Sequence, residues 1–584
     1  MAQHLYRKKI NGKVYYYLHE TFRQKIDPKH SGRTRGSGKS RVVTRATYLG
    51  TEEAIIQSLQ QTATALEVRH RQCGWVAAVY QVAEKIGLLA LLQKHLPGQR
   101  FGIPRWIYFF LAIANRLDQP TSKAKIREWV ETTLLPDLLA FPVKALSSQS
   151  FWYATDDVLS EKALRQKRTQ QPELGDQLLA GLDDTLWQQM EEELVRLVQK
   201  QFDLGTDTWL YDTTNFFTYI EEPARALLAQ AGHNKDCHHH LKQVGLALAV
   251  ERQWGLPLFH RLYRGNRQDS KTLAGLVREL IDQIRKYCQA GVRIVLVLDK
   301  GNNSEANFAQ LKEDVDWVGS LTLSHYKELR DKPLSEYPGQ HRTRRYVTEQ
   351  REVMGVPCLL VLTYHERLAR KQEHTLQRGL KKLKEQICQQ WKTYRKTPRT
   401  MPKGIHTLLK KQRYGKLLDV TVVDGAPAFV LKEAEVAELR QSFGKNLLFT
   451  NRCAAEGSWV IDQYRSKDKI EQDFKLIKAP ELIRFRPIRH WTDTKIRAFG
   501  FCCVVALLLL RVMLLMTARA GLHMSAAVLK EELSDITEYV VVYSPTQAQT
   551  QISRRSAVQQ KLWDLFELSA IERRLLIHQG KSKV

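Results

Sequence analysis

The chain has 584 residues, with 90 Lys plus Arg against 62 Asp plus Glu, a formal net charge of +28. Hydrophobic residues at 43% and aromatics at 9% are enough to build packed cores, which excludes a globally disordered chain. The charge excess is out of keeping with a small-metabolite enzyme and points to a polyanion. Nucleic acid comes first, because Lys and Arg displace counterions from phosphates, and an anionic membrane surface second. At roughly 100 to 200 residues per domain, the length predicts about three to five domains. The cysteines are scattered without a CxxC pair and read as free thiols of a reducing compartment. Residues 1–10 are basic and polar without an apolar stretch, so no secretory signal is expected and a cytoplasmic location is.

In chain order, residues 1–75 read as a basic β-rich module. Asn11-Gly12 separates Lys8-Lys9-Ile10 from Lys13–Leu18 and suits a type I′ hairpin turn, and Arg41–Gly50 reads as a third strand. Residues 76–203 switch to helical spacing (Val76, Val79, Tyr80, Ala83, Ile86), a candidate DNA-binding region without a decisive helix-turn-helix signature. Over 204–324 the strand candidates are Trp209–Thr214, Gly245–Val250, Leu256–Leu262 and Ile294–Leu298, with a helix over about 270–286 before the last of them. This order predicts an antiparallel meander joined to a parallel part.

Residues 325–445 read as a basic inserted domain. Between His365 and Lys416 there are sixteen Lys/Arg and three Asp/Glu, 16 − 3 = +13, with Trp391 and Tyr394 among the cations. Residues 446–518 resume with the strand Asn446–Thr450, a helix to about Ile477 and the apolar stretch Ala498–Met516, which only Arg511 interrupts with charge. That stretch is long enough to span a bilayer. A central arginine would cost about 2.5 to 3.5 kcal/mol there, so a helix buried on all sides is the expectation. Residues 519–584 form a mixed tail with a possible role in dimerisation.

Three carboxylates stand out. Asp299 follows an apolar strand, at the carboxyl end where open α/β sheets place ligands. Asp212 lies within another apolar strand, where an unpaired carboxylate is costly unless neutralised, for instance by a divalent cation. Glu471 belongs to a helix in which Tyr464, Lys467, Glu471 and Lys478 sit at offsets 0, 3, 7 and 14. At about 100° per residue these share one narrow face. An aspartate that caps a turn, and a solvated charged helix, are the plain alternatives for each taken alone.

Asp212 after a short strand, Asp299 at the end of an apolar strand, and Tyr-x2-[Arg/Lys]-x3-Glu-x6-Lys over 464–478 resemble the DDE transposases of bacterial insertion sequences. More narrowly, they look like the insertion-sequence-four superfamily and its insertion-sequence-sixteen-thirty-four branch. The resemblance covers about 204–518, with the tyrosine-rich opening hairpin and Leu49-Gly50 also similar. It departs at Lys467, where the family has arginine; the charge is kept but bidentate phosphate recognition is lost.

The resemblance implies an α/β fold, namely a ribonuclease-H-like catalytic domain interrupted by a largely β insertion. The 172 residues from Asp299 to Glu471 leave room for it. It further implies two magnesium ions, replaceable by manganese, held by Asp212, Asp299 and Glu471, with cutting at the element's inverted-repeat ends and joining to target DNA. Tyr464, Lys467 and Lys478 would hold terminal phosphates. Trp391 is a candidate for stacking on a flipped base, and Lys381, Lys382, Arg395 and Lys396 are candidate DNA contacts. The implied partners are double-stranded DNA and a second copy of the chain in a homodimer; the implied location is the nucleoid, with no membrane. A DNA-binding derivative without chemistry, and a nuclease without strand joining, are the competing readings. The cluster His233, Cys237, His238, His239 and His240 lacks zinc-site spacing, and Asp269-Ser270 reads as a helix cap.

Overall fold

The computed structural model describes residues 2–10, 13–25, 40–51, 54, 67–156, 185–205, 207–220, 226–232, 238, 240–287, 292–394, 400–544 and 547–571. Strand β1 (Ala2–Ile10) pairs antiparallel with β2 (Lys13–Lys25), with Ile10 opposite Lys13, and β2 pairs with β3 (Ser40–Thr51). The Asn11-Gly12 turn itself lies outside the described residues. After β4 (Glu67–Gln72) come two buried helices, Gly74–Lys85 and Leu88–His95, and the two-residue strands β5 (Gln99–Arg100) and β6 (Ile103–Pro104). Helix α1 (Arg105–Leu117) follows and buries Ile107, Phe110, Leu111 and Ile113; α2 (Thr185–Phe202) then leads into the central sheet.

That sheet is mixed and nine-stranded. β7 (Thr208–Phe217), β8 (Gln243–Glu251) and β9 (Pro257–Arg264) form an antiparallel meander. Helix α3 (Asp269–Tyr287) crosses over to β10 (Ile294–Val297), which lies parallel to β7 and to β11 (Val315–Leu321). The other half is antiparallel. It contains β12 (Gly339–His341), β13 (Arg344–Val353), β14 (Val356–Tyr364) and β17 (Lys445–Thr450), and β17 pairs with both β14 and β11. The full order is β12-β13-β14-β17-β11-β10-β7-β8-β9.

The alternation of the strands fixes which way each side chain faces. Trp209 and Tyr211 of β7, Ala247 and Ala249 of β8, and Ile294 and Leu296 of β10 share one core with Leu273, Val277 and Leu280 of α3. Their neighbours Leu210 and Phe216, Leu246 and Leu248, and Val295 and Val297 enter a second core on the opposite face. By that period of two, Asp212 and Asp299 belong to the second face.

Residues 325–445 do not stand wholly apart from the sheet, because β12, β13 and β14 extend it. The segment beyond β14 also departs from the largely β insertion that was expected. It consists of α4 (Glu366–Trp391), the helices Lys403–Lys411 and Glu433–Gln441, and a single hairpin of β15 (Leu418–Val423) and β16 (Ala426–Leu431). Leu376, Leu383, Ile387 and Trp391 recur at intervals of seven and four on α4 and seed two small cores with the hairpin and the shorter helices.

The helix expected to run on to Ile477 is divided into α5 (Gly457–Arg465) and α6 (Asp468–Lys478). Ser466 Oγ donates to the Gln463 carbonyl, and Lys467 N–H bonds back to Tyr464 O, three residues away, tightening the chain between the two helices. The apolar stretch lies in α7 (Asp493–Arg519), a helix long and apolar enough to cross a membrane, of whose most apolar window 89% is buried among other elements. It packs on α1, β9 and α6. The tail returns to the N-terminal region, where β18 (Thr537–Ser544) pairs with β4 on one side and β19 (Gln547–Ile552) on the other.

Candidate active site

The two strand-borne aspartates are carried to one place by parallel pairing. Val295, Leu296 and Val297 of β10 lie beside Thr208, Trp209 and Leu210 of β7, so Asp299, just past β10, sits next to Asp212 on the same face. Helix α6 lies across that face with Ile470, Phe474 and Ile477 in the shared core, which turns Glu471 toward the aspartates. The resulting cleft, about 530 Å³, is lined by Asp212, Asp299, Glu471, Lys467, Lys478 and Arg486 among others.

At its centre is the Lys467 ammonium. Nζ stands 2.9 Å from Asp299 Oδ2, 3.8 Å from Glu471 Oε1 and 3.9 Å from Asp212 Oδ2. Three carboxylates from three separate segments therefore converge on one positive charge. Two are further anchored by the backbone, since Thr213 N–H donates to Asp212 Oδ1 and Lys300 N–H to Asp299 Oδ1, each at 2.8 Å. Burial opposes ionisation of Asp299, but the Lys467 hydrogen bond and charge, with the Lys300 N–H, outweigh it and hold the carboxyl below its ordinary range. Burial likewise opposes the charge on Lys467, and Asp212 and Asp299 outweigh it and hold the ammonium above the usual lysine value.

Tyr464 stands behind this cluster rather than in the cleft lining. Its hydroxyl donates to Ser320 Oγ at 2.9 Å, and burial raises its pKa. Lys478 lies at the cleft wall with its ammonium 5.6 Å from the Phe216 ring centroid. The candidates in the inserted segment are not among the lining residues. Lys381 and Lys382 are exposed on α4. Trp391 is 9% exposed, packs with Ile387 and Ile405, and donates its indole N–H to the Gly425 carbonyl at 3.1 Å; stacking on a base would require it to leave that core. Arg395 and Lys396 lie outside the described residues, as do His233, Cys237 and His239. Asp269 opens α3 in its first turn.

Among the described residues, no group of three or more His, Cys, Asp or Glu is set closely enough to hold a metal ion as it stands. In the cleft the reason is visible: the carboxylates surround an ammonium instead of one another. The donor set is nevertheless all oxygen and anionic, the kind that hard divalent cations take.

Residues not singled out from the sequence are Lys475, Arg486 and Asp473, the partner of Arg511. The cations among apolar residues over Arg484-Phe485-Arg486-Pro487-Ile488-Arg489 mark a basic segment but not the place of Arg486 in the cleft. Arg511 Nε donates to Asp473 Oδ1 at 2.6 Å with both side chains buried, tying α6 to α7.

No family model matches the chain, and no curated protein does. Among solved structures it has a distant neighbour, a piggyBac transposase determined by cryo-EM in a synaptic complex with hairpin DNA, at 8% identity and a TM-score of 0.37, covering 78% of this chain and 76% of that one. The functional assignment therefore rests on the side chains of the cleft.

Proposed function

We propose that the chain is a metal-dependent DNA transposase of the DDE kind, of the insertion-sequence-four superfamily, acting on the inverted-repeat ends of its own element. The observation that carries this reading is the convergence of Asp212, Asp299 and Glu471 on the Lys467 ammonium in a cleft walled by further cations. The β7-β8-β9 meander with β10 parallel to β7 supports a ribonuclease-H-like arrangement, with one aspartate on β7 and the other just past the neighbouring β10.

Asp212, Asp299 and Glu471 are the residues that would hold the magnesium ions. When bound, the two ions supply the charge that activates the attacking oxygen and stabilises the leaving one in an in-line displacement. The chain's own part is positioning. Backbone N–H groups of Thr213 and Lys300 fix one oxygen of each aspartate and leave the other toward the cleft. Lys467 keeps three like charges together in the free protein, and Lys475, Lys478 and Arg486 offer the cations that align a phosphodiester backbone. Water attacks one phosphodiester to give a 3′-hydroxyl and a 5′-phosphate, and that 3′-hydroxyl then displaces a 3′-oxygen in target DNA, forming one phosphodiester as another breaks.

The test is magnesium-dependent cleavage and joining of DNA carrying the gene's own flanking sequences, wild type beside Glu471→Gln. Cleaved and joined products lost in the variant support a transposase. Cleavage without joining makes the protein a nuclease, and tight binding without products makes it a DNA-binding protein.

A further inference from the structure

A second cavity, about 560 Å³, opens between α1, the segment 120–126, the turn 484–490 and the first turns of α7. Its floor is apolar and aromatic, with Tyr108, Phe109, Phe151 and Phe499. Its walls are cationic. Arg116, Lys123, Arg484, Arg486, Arg489 and Lys495 line it, and no aspartate or glutamate is among its described lining residues.

Several of these cations are held over rings. Lys495 and Lys123 lie 3.6 and 4.4 Å from the Trp152 centroid, and the Arg489 guanidinium lies 5.1 Å from that of Tyr219. Arg116 donates to the Asn115 side-chain oxygen and the Thr121 carbonyl, each at 2.6 Å, acceptors that carry no net charge. The His490 Nδ1 atom is buried without a hydrogen-bond partner. A concave site with one sign of charge concentrates ions of the other sign, and the volume lies within the range of small-ligand pockets. Arg486 lines this cavity and the carboxylate cleft alike, so the two are neighbours along one surface.

We propose that this cavity binds a nucleoside phosphate, with the base on the half-buried Phe499 ring and the phosphate at the Arg484 and Arg489 rim. Aromatic floor and cationic rim together match the two halves of that ligand, where an inorganic anion would use only the rim. The ligand has two possible sources, a free nucleotide or an unpaired nucleotide of a strand held in the carboxylate cleft. The second source rests on the function proposed above; the cavity's chemistry does not.

The experiment uses the full-length protein and two probes, a methylanthraniloyl-labelled dAMP in solution and a duplex with one unpaired 2-aminopurine nucleotide. Arg484→Gln/Arg489→Gln changes two exposed rim residues, and Arg285→Gln on α3 is the control. A loss of free-probe affinity of about tenfold or more in the double variant, the scale of a lost charge-assisted hydrogen bond, with the control unchanged, supports the site with a free nucleotide as ligand. A 2-aminopurine response that weakens to the same degree while the free probe binds neither protein supports the site with a strand nucleotide as ligand. Equal affinities of wild type and double variant for both probes, or no binding of either probe to wild type, overturn the proposal. Cavity binding by a wild-type protein that cleaves no DNA would defeat the reading of the cleft and leave the cavity standing.

Discussion

Arg511 donates to Asp473 across the α6–α7 interface, and Asp473 lies two residues beyond Glu471 on the helix that presents it to the cleft. The only charge within the apolar stretch Ala498–Met516 thus serves to fix the position of a carboxylate it does not touch. Gly255 completes the arrangement. Its φ is +72°, and a Cβ there would come within 3.1 Å of Asp473 Oδ2 and 3.2 Å of the Arg511 guanidinium.

Arg511→Leu is expected to destabilise the protein by about 3 to 5 kcal/mol, because it leaves Asp473 buried without its partner. The double variant Arg511→Leu/Asp473→Leu should recover most of that loss. Thermal unfolding of the three proteins checks this, and a double variant no more stable than the single one would show that the pair contributes little beyond packing. Gly255→Ala should also lower stability, by about 1 kcal/mol or more, through the disfavoured backbone angle and the crowding of the pair.

Asp212→Ala, Asp299→Ala and Glu471→Gln are each expected to abolish cleavage while leaving DNA-end affinity within a few-fold, since affinity comes from many phosphate contacts. Gel-shift titration beside the cleavage assay separates the two effects. Unchanged cleavage in any one variant removes that residue from the site.

Lys467→Met removes the ammonium and leaves three carboxylates facing one another. The metal-free variant should melt below wild type, and magnesium chloride should raise its melting temperature by more than it raises that of wild type, because no resident cation competes. Equal magnesium-induced shifts would count against a divalent ion in the space Lys467 now fills.

His490 gives a pH dependence. Burial, and then the positive charges of Lys123, Arg116 and Lys495, push its pKa well below the ordinary histidine value, so the folded protein holds it neutral. A depressed folded pKa contributes stability that is fully present above the unfolded value of about 6.5 and is lost as the pH falls from there toward the folded value. Melting temperature should therefore decline as the pH drops below about 6.5, and His490→Gln should flatten that decline. A parallel profile in the variant would place the acid sensitivity elsewhere.

Much of the sheet was legible because its central strands are buried on both faces and read as short apolar runs, each interrupted or ended by an aspartate that hydrophobicity does not explain. Glu471 was legible through helical periodicity, although the helix is divided at Ser466–Lys467; the backbone stays near-helical there, so the face is kept. Arg486 was not legible as a cleft residue. Its position depends on the turn 480–490 returning along the end of β7, where Tyr219 N–H bonds to the Ile488 carbonyl, a contact that no local pattern encodes. The helical character of the inserted segment was obscured by its cations. The spacing of Leu376, Leu383, Ile387 and Trp391 was present in the sequence, and it assigns Trp391 to a packing position that its aromatic character alone does not reveal.

The anchoring of α6 by α7 has a consequence for synthesis from the N-terminus. A nascent chain that has just released residue 478 from the ribosome already contains Asp212, Asp299, Lys467 and Glu471, but the helix bearing the glutamate lacks the apolar support of α7 and the guanidinium that holds Asp473. The buried pair that ties α6 to α7 can close only after Arg511 has emerged, some thirty residues later. The final seating of α6 on α7 thereby waits for the second half of the apolar helix.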